Sequence, residues 1–260
     1  MRAMWSGSIS FGLVNIPVRL YSATGGEAKL DFDLLHEKDM SPIRYAKVCR
    51  LEGEEVPNEE IVKGYEYEDG QYVILTDEDF ERANVTRTRA IEITEFSDEA
   101  DIDDIYFEKP YYLEPDKGAA KPYALLREAL RRSGKVGIAR FVLRNREHLA
   151  AIKPTGDVLV LNQLRYSSEL LEPDELKVPD PSLADERELD LALTLIDKLS
   201  ESFQPERYKD EYTEELRQMI EGKAQGRVPV AKGEEPEPTS VVDLMAVLKK
   251  SLEQERTKVA

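Results

Sequence analysis

The sequence predicts an α+β fold in which strands predominate. Residues 8–21 are rich in β-forming side chains and are interrupted by a glycine and a proline, which is typical of two strands joined by a turn or bulge. Residues 136–164 contain three apolar stretches separated by short turns, which predicts an antiparallel β-meander. The clearest helical patterns lie at residues 121–133 and after Glu172.

Local patterns predict most of the individual elements. Further strands are expected at residues 71–75 and 90–96, and a short helix between them begins after Thr76 with an acidic first turn. At residues 121–133, apolar side chains recur at helical spacing and Gly134 follows as the expected stop. The strands of the meander are predicted at residues 136–144, 148–153 and 158–164.

The composition changes after Glu172, where helical patterns replace strands. One helical face is formed by Leu189, Ala192, Leu193, Ile196, Leu199 and Phe203. A second helix is expected at about residues 208–221. Residues 222–239 are dominated by glycine, proline and charge, which is typical of a flexible linker.

The last segment, residues 240–260, contains a short amphipathic helix pattern. Its apolar face consists of Val241, Leu244, Met245, Leu248 and Leu252. A lone helix of this length is marginal in water, so it either packs back on the core or folds into a groove of a partner. We expect the second arrangement.

Charge is distributed very unevenly along the chain. The formal net charge of −17 argues against a nucleic-acid binder, because phosphate contacts need lysine and arginine. Residues 1–116 nevertheless sum to −15, residues 117–153 to +8, and residues 154–260 to −10. A strongly positive stretch therefore lies within an otherwise acidic protein, and residues 117–153 are called the basic segment below.

The basic segment is the candidate phosphate-binding surface. Strand alternation predicts that Arg140, Arg144 and, if the strand extends, Arg146 share one face. The alternative is a solvated face that pairs with the protein's own carboxylates. Because aromatic residues are not interleaved as in single-strand stacking platforms, the pattern favours the backbone of duplex DNA. The candidate residues are Lys117, Lys121, Arg127, Arg131, Arg132, Lys135, Arg140, Arg144, Arg146 and Lys153.

Other residue types do not predict chemistry. A zinc site needs about four ligands, and Cys49 is the single cysteine beside two histidines, so we expect neither a metal nor a cofactor. The acidic run at residues 98–104 is interpreted as a solvated, partner-repelling or helix-capping stretch rather than a magnesium site. Phosphate-binding loops, nucleophile elbows and HExxH motifs are absent from the sequence, so an enzyme is not expected.

The sequence also indicates where the protein works. No stretch approaches the roughly 18 apolar residues that a membrane span requires, and the first residues show no signal-peptide pattern. A single cysteine fits a reducing compartment. We therefore expect a cytoplasmic protein with no membrane partner.

Several motifs resemble those of bacterial Ku proteins. The two most specific are MRAMWSGSISFGLVNIPV at residues 1–18 and SFQPERYKD at residues 202–210. The resemblance covers essentially the whole chain, and its other motifs lie at residues 64–66, 111–115, 141–147 and 242–245. Many bacterial members have a Cys-x-x-Cys pair where this sequence has Cys49 and Glu52, and this departure removes the case for zinc.

The resemblance implies a fold and a function. It implies a β-rich α+β core (residues 1–221) built on a Ku-type β-barrel with peripheral helices. Within it, a DNA-encircling segment lies at about residues 117–165 and a helical C-terminal arm at about 185–221. Two copies would form a ring-shaped homodimer that threads onto double-stranded DNA ends at the nucleoid. The resemblance further implies non-homologous end joining and recruitment of a ligase D-type, ATP-dependent DNA ligase.

Two other classes of function stay open at this point. One is a nuclease or lyase that acts on DNA ends, against which the missing motifs argue. The other is an acidic interaction protein with no DNA role, which would ignore linear duplex even at low salt.

Overall fold

The chain forms two compact units in the computed structural model. The barrel unit comprises Met1–Glu27 and Asp31–Leu171, and the helical unit comprises Ala28–Leu30 and Glu172–Ala260. The boundary lies beside the change in composition at Glu172. The structure describes residues 1–25, 30–83, 89–144, 146–226 and 247.

The barrel unit is built mainly from strands. Its helices in the described ranges are α1 (Asp77–Ala83) and α2 (Ala120–Ser133). Its strands there are β1 (Trp5–Phe11), β2 (Val14–Ser22), β3 (Lys63–Glu68), β4 (Gln71–Leu75), β5 (Ala90–Asp98), β6 (Phe107–Pro115), β7 (Lys135–Leu143), β8 (Arg146–Thr155) and β9 (Val158–Leu164).

Seven of the described strands close into a barrel in the order β1-β2-β6-β9-β8-β7-β5. Neighbouring strands pair antiparallel, except that β5 returns to β1 in parallel through Ser8–Ala90, Ile9–Ile91 and Ser10–Glu92. Closure pairs the strand edges that an open sheet would leave exposed. The barrel is therefore a self-contained support for its outer surface.

Side chains fill the barrel interior, and α2 closes one of its ends. Alternate residues such as Ile9 and Phe141 are at most 2% exposed. Tyr123, Leu126 and Leu130 of α2 belong to the same buried cluster. The Tyr123 hydroxyl donates to the carbonyl of Leu113 and accepts from the amide of Leu159, both at 2.7 Å, which ties α2 to β6 and β9.

The structure confirms the β-rich α+β class and most predicted elements of the barrel unit. The amphipathic helix ends at Ser133, where Gly134 adopts φ +67° as the expected stop. The meander is present, although its second strand begins at Arg146 rather than residue 148. The strands β3 and β6 lie outside the sequence prediction. The strand β6 was not predicted because it contains Pro110, and a proline normally argues against a strand.

A two-stranded hairpin of β3 and β4 forms a sheet separate from the barrel. All of its residues are exposed except Leu75, which is half-buried. The exposed side chains include Tyr65, Tyr72 and Ile74. Isolated hairpins are marginally stable in water, so this one presents a surface suited to further packing.

The helical unit contains α3 (Glu186–Leu199) and α4 (Glu211–Ala224) in its described part. Asp185 and Asp210 cap their N-termini through side-chain oxygens that accept backbone amides. None of the described side chains in either helix is buried. None of the described helices has the length and apolarity that spanning a membrane requires.

Two expectations about this unit are wrong. Phe203 does not extend the face of α3, because that helix ends at Leu199 and Phe203 instead stacks on Tyr208 with ring centroids 5.7 Å apart. The linker does not begin at Gly222, since α4 continues to Ala224.

Candidate nucleic-acid interface

The basic segment comprises the connection between β6 and α2, the helix α2, the strand β7 and most of β8. Its ten candidate residues are spread along the barrel. Five of them lie at the end that α2 closes, and this group is called the helix-end cluster. Lys117 and Lys121 lie at the opposite end of α2, before and in its first turn. The helix-end cluster consists of Arg127, Arg131, Arg132, Lys135 and Lys153.

Contacts to the β8–β9 turn hold the helix-end cluster together. Arg127 donates to the carbonyl of Asp157 at 2.6 Å, and Arg131 donates to the carbonyl of Gly156. The carboxylate of Glu128 lies 2.6 Å from Arg131. Arg127 and Arg131 therefore have a structural role, since they attach α2 to the turn that follows β8.

Arg140 and Arg144 form a second group near the other end of β7. Arg140 is exposed, whereas its neighbours Ala139 and Phe141 are buried in the core, so the predicted alternation holds here. Arg144 follows the strand in a turn with φ +53° and is also exposed. A strand rises about 3.3 Å per residue, so along β7 Arg140 lies about 17 Å from Lys135 of the helix-end cluster, and Leu143, just before Arg144, lies about 26 Å from it.

The strand β7 ends at Leu143 and does not extend to Arg146, so the condition for placing Arg146 on the face of Arg140 is not met. The chain reverses after Leu143, and Arg146 is the first residue of β8, directly opposite Leu143 in the register. Directly opposed residues share a face, so Arg146 lies on the side of the buried Leu143 rather than on that of Arg140. Its side chain lies at the barrel end and binds Glu169 at 2.9 Å.

Half of the candidate residues already have partners within the chain, as the alternative interpretation of the basic segment expects. Lys135 binds Asp98 at 2.7 Å and Lys153 binds Glu99. Arg127, Arg131 and Arg146 are also engaged. Within the described part of the chain, the side chains without a hydrogen bond or ion pair are those of Lys117, Lys121, Arg132, Arg140 and Arg144.

The five unpaired side chains are all exposed. An exposed lysine or arginine without an internal partner can bind an external anion directly, because no internal ion pair or hydrogen bond has to break. A phosphate backbone requires such cations and no particular base edge. These five side chains are therefore the most suitable phosphate contacts in the basic segment.

A cavity of about 500 Å³ opens at the barrel end beside Arg144 and Arg146. The His148 ring packs 5.5 Å from the Phe141 ring. Burial and the nearby Arg146 charge lower the pKa of His148, so the imidazole is mostly neutral at pH 7. The cavity is electrostatically mixed rather than positive, because its lining also includes Glu108, Glu147 and Glu169.

The acidic run at residues 98–104 takes part in this surface in a way that the sequence did not reveal. Asp103 caps a short turn by accepting the amide of Ile105 at 3.1 Å, which matches the capping interpretation. Asp98 and Glu99 instead reach Lys135 and Lys153 of the basic segment. Groups of three or more metal-ligating side chains are not found among the described residues.

The predicted partner-docking face at the C-terminus cannot be placed. Val241, Leu244, Met245, Leu248 and Leu252 lie outside the described residues. Their assignment stays a prediction.

Comparison with known proteins decides the family. A family model described as the Ku70/Ku80 beta-barrel domain matches residues 10–191, more than half of the chain. This chain belongs to the Ku family. The non-homologous end joining protein Ku of Opitutus terrae is 47% identical to it over 98% of this chain and 92% of that protein.

Further Ku relatives match over similar lengths. The non-homologous end joining protein Ku of Archaeoglobus fulgidus is 46% identical over 97% of this chain and 99% of its own length. That of Cupriavidus necator is 43% identical over 97% of this chain and 78% of its own length. Membership confirms the predicted family and the Ku-type barrel. It also confirms the predicted class of protein, which is a non-enzymatic protein of DNA end joining.

Proposed function

We propose that this Ku family chain binds the ends of double-stranded DNA without reading sequence, as a ring-shaped homodimer. The observation that carries the proposal is the display of unpaired cations on the barrel of an otherwise acidic chain. Lys117, Lys121, Arg132, Arg140 and Arg144 are exposed and without an ion pair among the described residues. The names of the relatives, which specify non-homologous end joining, support the same function.

Phosphate contacts make the proposed binding strongly dependent on salt. If about six phosphates are neutralised, log K falls with log salt at a slope of roughly −5. The acidic remainder of the chain repels duplex elsewhere, which restricts the DNA to the basic segment. Such a protein recognises the duplex by its backbone and ignores the bases.

The exposed apolar face of α3 supports assembly into a homodimer. Leu189, Leu193, Ile196 and Leu199 are 45–59% exposed along one helix, although the helix is only fourteen residues long. Helices of this length are marginal in water unless an apolar face is covered. In our proposal a second copy of the chain covers this face, and α3 with α4 forms the arm between subunits.

A ring that threads from a free end predicts a difference between linear and circular DNA. We expect tight binding of a linear duplex at about 50 mM salt and at least roughly tenfold weaker binding of the same duplex as a closed circle. Gel shift with both forms measures this, and the circle cut once by a restriction enzyme is the matched control. Equal affinity for the closed and the cut circle would contradict threading, and no binding of either would contradict a DNA role altogether.

We further propose that residues 240–260 recruit a ligase D-type, ATP-dependent DNA ligase. Their apolar face suits a groove on a partner, and the glycine- and proline-rich stretch before it supplies reach. Because chromosomal DNA is the ligand, the protein would work at the nucleoid in the cytoplasm.

Deletion of residues 240–260 is expected to leave the affinity for linear duplex within about twofold of the full chain and to abolish stimulation of the ligase. The measurements are fluorescence anisotropy with labelled duplex and a ligation assay with the purified ligase. A Leu244→Asp/Leu248→Asp variant of the full chain is the matched control for length. If truncation removes DNA binding, the segment belongs to the core instead.

A further inference from the structure

Two adjacent carboxylates bind two lysines of the helix-end cluster. Asp98 ends β5 and lies directly opposite Lys135 in the β5–β7 register, and their charged atoms are 2.7 Å apart. Glu99 follows at once and binds Lys153 on β8. The sequence separations are 37 and 54 residues, so barrel closure rather than local sequence brings these four charges together.

The two carboxylates differ from the rest of the acidic run. Asp101 accepts a hydrogen bond from Ser97 at 3.3 Å, and Asp103 caps the turn before Phe107. These residues therefore satisfy local groups of their own strand and turn. Among residues 98–104, only Asp98 and Glu99 bind a candidate DNA-binding residue within the described part of the chain.

Both ion pairs are accessible enough to be exchanged. The lysine side chains are 41% and 30% exposed, and those of their carboxylate partners are 56% and 48% exposed. A pair at such exposure changes an equilibrium constant by about 1.4- to 5-fold. A row of DNA phosphates offers lysine the same kind of charge-assisted hydrogen bond at higher charge density, so it can replace either carboxylate.

We propose that Asp98 and Glu99 are specificity-determining residues that compete with DNA phosphates for Lys135 and Lys153. The proposal rests on the proposed function, because it concerns the same DNA surface. The carboxylates occupy the lysines in the free protein and leave them when duplex binds. They thereby lower the affinity of the helix-end cluster for any isolated phosphate and reserve it for a continuous phosphate backbone.

The test compares charge-removing variants of the full chain. Glu99→Gln is expected to tighten binding of linear duplex by about 2- to 5-fold at about 50 mM salt, since Lys153 no longer has to leave an internal partner. The gain should shrink at about 200 mM salt, because screening weakens both interactions. Asp98→Asn is expected to act in the same direction through Lys135. Fluorescence anisotropy with labelled duplex measures the dissociation constants.

A control on the same strand separates this effect from a general loss of negative charge. Glu95 of β5 is exposed and has no ion pair with another described residue. Glu95→Gln removes the same charge nearby without releasing a lysine, so it is expected to leave the affinity within about 1.4-fold.

The decisive comparison is a double-mutant cycle with Lys153→Gln. Glu99→Gln should tighten binding only when Lys153 is present, because the release of that lysine is the cause. If Glu99→Gln has no effect, or tightens equally in the Lys153→Gln background, or is matched by Glu95→Gln, the proposal is overturned. A wild-type protein that ignores linear duplex would overturn the proposed function itself, which is a separate outcome of the same titration.

Discussion

Replacing both Arg140 and Arg144 by glutamate is expected to weaken binding of linear duplex by roughly 100-fold or more at about 50 mM salt. Both side chains are exposed and have no ion pair with another described residue, so they can bind phosphate without breaking an internal ion pair. The reversal removes two phosphate contacts and adds two repulsive charges. Titrations across salt should show a slope less steep by about 2, because each phosphate contact contributes about 0.9.

A matched variant distinguishes local contacts from net charge. Lys38→Glu/Arg50→Glu makes the same charge change on exposed positions of the barrel unit, outside the basic segment. We expect it to weaken binding by less than about threefold, because these charges make no phosphate contact in the proposal and salt screens exposed charges. A comparable loss in both variants would contradict the assignment of Arg140 and Arg144. Melting temperatures should agree, since none of the four side chains is buried.

Replacing Leu193 and Ile196 by aspartate is expected to raise the dissociation constant of the homodimer by roughly 100-fold or more. These side chains are 50% and 59% exposed on α3, and the proposed dimer buries them. Each substitution loses apolar burial and forces a carboxylate into the contact, where its desolvation is costly. Sedimentation velocity at several protein concentrations measures the change.

Polar positions of the same helix supply the control for α3. Asp190→Asn/Asp197→Asn changes exposed residues of α3 without altering its apolar face, so the dimer should form as in the wild type. A wild-type protein that is monomeric at micromolar concentration would contradict the proposed arm. If the aspartate variant still dimerises, another surface holds the two copies together, and the exposed β3–β4 hairpin is the first to examine.

Elements with a strong local pattern were predictable from the sequence. The helix α2 was found because Tyr123, Leu126 and Leu130 recur at helical spacing before Gly134. The strand β7 was found because Arg140 alternates with buried apolar neighbours. The strand β6 was missed because Pro110 contradicts a strand locally, although its neighbours β2 and β9 in the barrel supply the pairing.

The candidate interface was also predictable only in part from the sequence. All ten basic residues could be located from the sequence, because a run of net +8 in a chain of −17 is visible without a structure. Whether each of these side chains has a partner within the chain could not be predicted from the sequence. The β7–β8 register places Arg146 directly opposite Leu143. Even-numbered residues of β8 therefore share the face of odd-numbered residues of β7, so Arg146 does not share the face of Arg140.

The sequence by itself determined the β-rich class, the barrel family and the location of the positive charge, because these follow from local periodicity, motifs and composition. Only the tertiary structure decided which of those charges are paired within the chain. Asp98 meets Lys135 and Glu99 meets Lys153 through strand pairing between distant parts of the chain. Register across a closed barrel depends on all of its strands together, and so no local stretch of sequence contains it.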